Sequence, residues 1–190
     1  MSTTSIGSLT RRNFLRTGAL GAAGMALAAA SPLAAQQLGL ELEYVSAWDV
    51  NLTPPQVIGP TPDGLRQIIY AVDGTASGPK MNGTWLSGGG DWLRVRSDGV
   101  FALDVRATIQ LDDDSLAFVH YPGYGVIAPE VFNRIASGEE VDGAEYYFRM
   151  TPRFETASEQ YAWLNSTIFV GTGQLGPFLA SVHYDVYQVL

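Results

Sequence analysis

The sequence predicts an all-β protein: a single antiparallel β-barrel of about eight or nine strands with one short helix, following a cleavable signal peptide. Apolar and polar residues alternate with period two between turn signals over most of the chain. Helix punctuation occurs at one place only. The last segment, FLASVHYDVYQVL (178–190), is too apolar for an exposed edge, which favours a closed barrel over an open sandwich.

The first 35 residues stand apart. They contain no Asp or Glu, and the first acidic residue is Glu41. Arg11-Arg12 is followed by Phe14-Leu15 and a third basic residue, Arg16. The stretch from Gly18 to Ala30 is then mildly apolar, too short and too mild for a spanning helix. Small residues at Ala28-Ala29-Ala30 and at Ala34-Ala35 offer two cleavage points, after Ala30 or after Ala35. This is a twin-arginine export pattern, an address read by a receptor and not an anchor. It implies a periplasmic or secreted protein with no stable membrane anchor, and leaves one domain over 36–190.

The elements follow in order. LGLELEY sets Leu38, Leu40, Leu42 and Tyr44 on one face and Glu41 and Glu43 on the other. NLTPPQVIGPTPDG, with prolines and glycines spaced through it, reads as loop. RQIIYAVDG and MNGTWL read as strands, and SGGGDWLRV turns through three glycines into another. Residues 96–121 give the clearest pair of strands. Asp98-Gly99 and Asp112-Asp113-Asp114 mark hairpin turns, and Phe101, Leu103, Val105, Ala107, Ile109 and Leu111 form an unbroken apolar face. PEVFNRIASGEE is the helix, opened by Pro129 and closed by Gly138. AEYYFRMT, STIFVGTG and the terminal segment complete the strands.

Composition removes several function classes. The net charge of −8 becomes −11 once the three arginines of residues 1–35 are gone, and Lys80 is the single lysine. This argues against nucleic-acid partners and anionic membrane surfaces, which require basic patches. With no cysteine, thiolate nucleophiles, Cys-ligated zinc and iron–sulfur clusters are excluded. His120 and His183 are the only histidines, each alone in a strand; without an HxH or HExxH spacing, ordinary strand histidines outweigh a two-His metal site with Glu130 or Asp185. No metal is expected.

Two clusters hold candidate chemistry. Asp104 and Arg106 share one strand face. They form either an exterior salt bridge or, if that face lines the lumen, an anion clamp with a proton-moving carboxylate. PRFETASEQYAWLN (152–165) sets Arg153 and Glu155 around Phe154, then Tyr161, Trp163 and Asn165. Aromatics at this density must pack on something, as a structural plug or as the wall of a ligand site.

GGGDW (88–92), DG…LDVRATI (98–109), YYFRMTPRFET (146–156) and YAWLN…FVG (161–171) together resemble the domain-of-unknown-function family 3237, also called uncharacterised protein family 0311. The resemblance spans about Leu40 to Leu190 and implies a small, usually oligomeric β-barrel with no settled general activity. The family's motifs fall on Gly90, Asp91, Trp92, Asp104, Arg106, Arg153, Phe154, Glu155, Trp163 and Asn165. An export signal is not a usual feature of that family.

By analogy of fold, small barrels such as allene oxide cyclase, dirigent proteins and lipocalins enclose one small aromatic or apolar ligand and need no cofactor. The resulting expectation is a cofactor-independent lyase, isomerase or cyclase. Arg106, Asp104, Arg153 and Glu155 would be its catalytic groups, with Asp91, Trp92, Tyr161, Trp163 and Asn165 around the ligand. A non-catalytic carrier and a structural oligomer with a side-chain-filled barrel are the alternatives.

Overall fold

A computed structural model describes residues 39–190. Strand β1 (Leu42–Leu52) opens the sheet, and a hairpin of β2 (Gln56–Thr61) and β3 (Gly64–Ser77) follows. Three short pieces come next: β4 (Gly83–Trp85), β5 (Gly90–Asp91) and β6 (Arg94–Val95). The long hairpin is β7 (Phe101–Leu111) and β8 (Leu116–Val126), and the helix α1 covers Pro129–Ala136. The chain ends with β9 (Tyr147–Met150), β10 (Arg153–Thr156), β11 (Phe169–Leu175) and β12 (Ser181–Val189).

Pairing registers show how these pieces make an eight-stranded closed barrel. β4, β5 and β6 all lie between β3 and β7, so they are one interrupted strand. β9 and β10 likewise run along β8 in a single register, from Val126↔Tyr147 to Ala117↔Thr156. Pro152 interrupts the assignment without shifting the ladder, because the Thr151 amide still donates to the Pro122 carbonyl at 3.1 Å. β12 pairs with β11 on one side and β1 on the other, which closes the sheet and removes the edge that so apolar a strand would otherwise expose.

The turns follow from residue type. Gly99 (φ 82°) and Asp114 (φ 65°) take left-handed positions in the hairpins flanking β7. Gly138 (φ 98°) stops α1, its amide donating to the Ile135 carbonyl at 3.0 Å. The predicted inward face of β7 holds: Leu103, Val105, Ala107, Ile109 and Leu111 are buried and Phe101 is half-buried.

Two expectations do not survive. Leu40 and Leu42 are 78% and 57% exposed, because β1 packs its core face only from Val45 onward, after a register irregularity between Tyr44 and Ser46. The proline-rich stretch after β1 is not all loop. Gln56–Thr61 pairs with β3, and its single proline, Pro60, is tolerated on this edge strand.

One end of the barrel is filled with rings. Trp48, fully buried, meets Trp85 (centroids 5.2 Å), Phe154 (5.9 Å), Tyr121 and Tyr184 (both 6.2 Å), mostly edge to face. Phe169 extends this plug from Phe154 to Trp163. The other end is hollow.

Candidate functional site

The hollow end is a cavity of about 190 Å³. Val50, Ile69, Leu93, Leu103, Val105 and Val182 supply most of its apolar wall, and Phe101, Phe132 and Leu179 stand at its outer part. Trp85, Tyr121 and Tyr184 are shared with the ring cluster and form its floor. Asp91 is the one charged side chain among the lining residues, and Gln67 is the one amide.

The glycine run delivers Asp91 to this wall. Between Trp85↔Ile109 and Gly90↔Arg106 the interrupted strand uses five steps against three on β7, so residues 86–89 bulge out. Gly88 takes φ 100° in the bulge. A Cβ on Gly90 would lie 2.7 Å from the Ile69 carbonyl oxygen, so only glycine lets the strand close on β3 there. Asp91 then pairs with Ile69 and Val105, both cavity residues, and shares their inward face.

Asp91 Oδ1 accepts the Asp104 amide at 2.9 Å. Oδ2 is therefore the oxygen left to hold an exchangeable proton. Burial in this apolar wall pushes the carboxyl up to about 7, aided by the Asp104 charge, while the Asp104 amide and Arg66 act the other way. Burial first raises Tyr121 and Tyr184 above the ordinary phenol range; their mutual hydrogen bond raises Tyr121 further and works against the rise at Tyr184, the Asp91 charge adds to both, and both stay neutral. A carboxyl poised near neutrality beside two buried phenols in a small apolar cavity can hold a ligand oxygen and exchange a proton with it.

Of the nine residues singled out in the sequence, Asp91 alone lines the cavity. Asp104 and Arg106 alternate with Leu103 and Val105 and so face outward, joined at 3.1 Å, with His120 3.3 Å from Asp104. Their lumen placement fails because the unbroken apolar face of β7 is the inner one. Trp92 is also on the outside, under Arg106 at 5.5 Å.

Arg153 and Glu155 are exposed on β10, opposite His120 and Phe118. Tyr161 is buried, but its hydroxyl donates to Asp112 at 2.7 Å near the β7–β8 turn. Asn165 braces Thr156 through both its backbone groups at 2.9 and 3.0 Å, and Trp163 packs on Phe169. The 152–165 segment is thus the structural plug at the filled end and not a wall of the cavity. The two histidines do not meet: β8 and β12 are separated by β9 and β11, and His183 pairs with Asp49 at 2.8 Å.

Sequence reasoning missed Tyr121, Tyr184 and Gln67. The inward period of β8 and β12 offered a signal for the tyrosines, since each sits in phase with buried aliphatics. A larger groove of about 760 Å³ beside Asp49, Asp73, Glu140 and His183 lies outside the barrel and is open to solvent.

Residues 40–189 match the family described as protein of unknown function (DUF3237). The chain belongs to this family. It is 38% identical over 133 residues to a UPF0311 protein of Clostridium acetobutylicum, covering 68% of this chain and 84% of that one. A UPF0311 protein of Rhodopseudomonas palustris is 30% identical over 151 residues, or 80% and 97% of the two chains.

Solved structures agree on the fold. A conserved protein of unknown function from R. palustris superposes with a TM-score of 0.75 at 30% identity, covering 81% of this chain and all of that one. A β-barrel-like protein from Acinetobacter baumannii gives 0.69 at 35% identity, over 82% and 99%. An enzyme from Penicillium herquei shares the fold at 0.61, with 19% identity over 83% and 100%. The family assignment and the all-β barrel read from the sequence both stand. Residues 1–38, which include the export pattern, lie outside the described residues.

Proposed function

We propose that the barrel binds one small, uncharged, largely apolar or aromatic molecule in its hollow end and acts on it as a cofactor-independent lyase, isomerase or cyclase, with Asp91 as the general acid–base. The supporting observation is a carboxyl titrating near 7 on the wall of an apolar cavity that no cationic side chain lines. A ligand carboxylate would find no partner there, whereas a hydroxyl or carbonyl oxygen would find Asp91, Tyr121 and Tyr184. Protonated Asp91 lends a proton to the ligand oxygen, and the carboxylate recovers one from the rearranged product, so no external electrons are needed. This replaces the arginine clamp expected from the sequence. The twin-arginine pattern supports action outside the cytoplasm, and the fold shared with a Penicillium herquei enzyme supports catalysis by analogy alone.

Native mass spectrometry of protein purified from its own host, followed by titration with 2-naphthol and 2-naphthoate, tests this. Retention of a neutral small molecule, binding of the naphthol and rejection of the naphthoate are expected. Preference for the carboxylate would overturn the charge argument. Binding without conversion of the retained compound, unchanged in Asp91→Asn, would identify a carrier.

A further inference from the structure

Outside the paired strands the cavity is lined by Pro55 before β2, Ile127 before α1, Phe132 of α1 and Leu179 of the 3-10 turn Pro177–Leu179. Phe132 stacks on Phe101 at 5.6 Å, which lays the helix across the opening. In the turn, Phe178 (φ 58°) and Leu179 (φ 57°) are consecutive bulky residues in the left-handed region, a conformation that L-residues of this size avoid. Burial of Phe178 does not explain it, because that side chain is 69% exposed.

The strained turn presses the Phe178 ring onto Gly138, just past the end of α1. A Cβ at Gly138 would lie 2.2 Å from the ring Cζ and 2.5 Å from Cε1, so the ring occupies the space that a side chain there would need. Gly138 is required by its own φ of 98°, and the exposed tip of the Phe178 ring rests over it. Strain at an exposed contact beside a cavity marks a segment of low local stability.

Resting on the reading that a ligand occupies the cavity, we infer that α1 and the 177–179 turn form a lid, that Phe178 against Gly138 is its latch, and that small uncharged ligands pass between these two segments. Opening lets Phe178 and Leu179 leave the left-handed region and parts the Phe178 ring from Gly138, while Val131 and Ile135 keep the inner face of α1 buried. The hydrogen-bonded barrel wall stays shut, since parting it would unpair ladder groups.

Amide hydrogen exchange and stopped-flow binding of 2-naphthol to the full protein test this in Phe178→Ala and Phe178→Tyr. In Phe178→Ala, exchange of the α1 and 176–180 amides should rise about tenfold while β7 and β8 amides hold as the fold control. Association and dissociation should both accelerate, with Kd staying within about twofold. Phe178→Tyr keeps the ring and should behave as the wild type.

Unchanged exchange in Phe178→Ala, equal opening in the tyrosine variant, or a change in Kd without a change in association rate would each overturn the latch. If the wild type binds no 2-naphthol, the ligand reading falls, and the exchange result alone decides whether the latch exists.

Discussion

The two ends of the barrel are built from the same strands and differ in what their inward residues are. Toward the filled end, Trp48, Trp85, Phe154 and Phe169 contact one another ring to ring, and Met81, Ile109 and Leu164 close the gaps with almost no exposure. Toward the hollow end medium aliphatics such as Val50, Leu93, Leu103 and Val182 supply most of the apolar wall, and a cavity of about 190 Å³ is left between them. One carboxyl, Asp91, is tolerated in that wall at the cost of a displaced pKa. The filled end therefore holds the fold, and the slack in side-chain volume at the other end makes room for chemistry.

Truncating a ring at the filled end tests this contrast most strongly. Trp48→Ala should destabilise the protein by about 3–5 kcal/mol in chemical denaturation, because it empties the centre of a cluster with no route to collapse. Leu93→Ala, at the wall of the existing cavity, should sit near the low end of the range for such truncations, about 2 kcal/mol. Equal losses would mean that the two ends share the load.

Asp91→Asn sharpens the contrast from the hollow side. Unfolded, this carboxyl ionises in the ordinary range near 4; folded, it ionises near 7. Between those values the unfolded chain has released a proton that the folded chain keeps, so stability falls as pH rises from about 4 to about 7 and is level above. The full slope for one proton is about 1.4 kcal/mol per pH unit, an upper bound for a group facing a cavity. Asparagine keeps an oxygen for the Asp104 amide and removes the proton, so the variant should lose this slope. It should also abolish any turnover that titrates near pH 7. Glu43, Asp113 and Glu139, held low by their hydrogen-bond partners, lose their contribution only as pH falls below the ordinary carboxylate range, so the two windows separate.

The sequence showed the barrel more fully than the site, for physical reasons. Period-two alternation gives the strands and the faces of β7, and turn chemistry gives the hairpins at Asp98-Gly99 and Asp112-Asp113-Asp114. Alternation is symmetric between inside and outside, so charged residues on β7 and β10 attracted attention that their exposure does not support. It also gives no volumes, so a filled end and a hollow end built from apolar residues look alike. Asp91 was legible as part of GGGDW, but its inward direction depends on the two-residue bulge before it, which alternation does not encode. Tyr121 and Tyr184, which no motif marks, are core and cavity floor together.

The smallest effects should come from the outer face, and they decide between the two readings of its charges. Arg106 lies between Asp104 and the Trp92 ring, and Arg153 stands on the next strand but one, both in contact with water. Exposed pairs of this kind contribute from about 0 to 1 kcal/mol, less in salt. Arg106→Ala and Arg153→Ala should therefore leave stability within about 0.5 kcal/mol of the wild type and cavity binding of 2-naphthol unchanged. If either substitution abolished turnover while the fold and binding persisted, the chemistry would belong to the outer face, and Asp91 would have to be read as a structural acid in the wall.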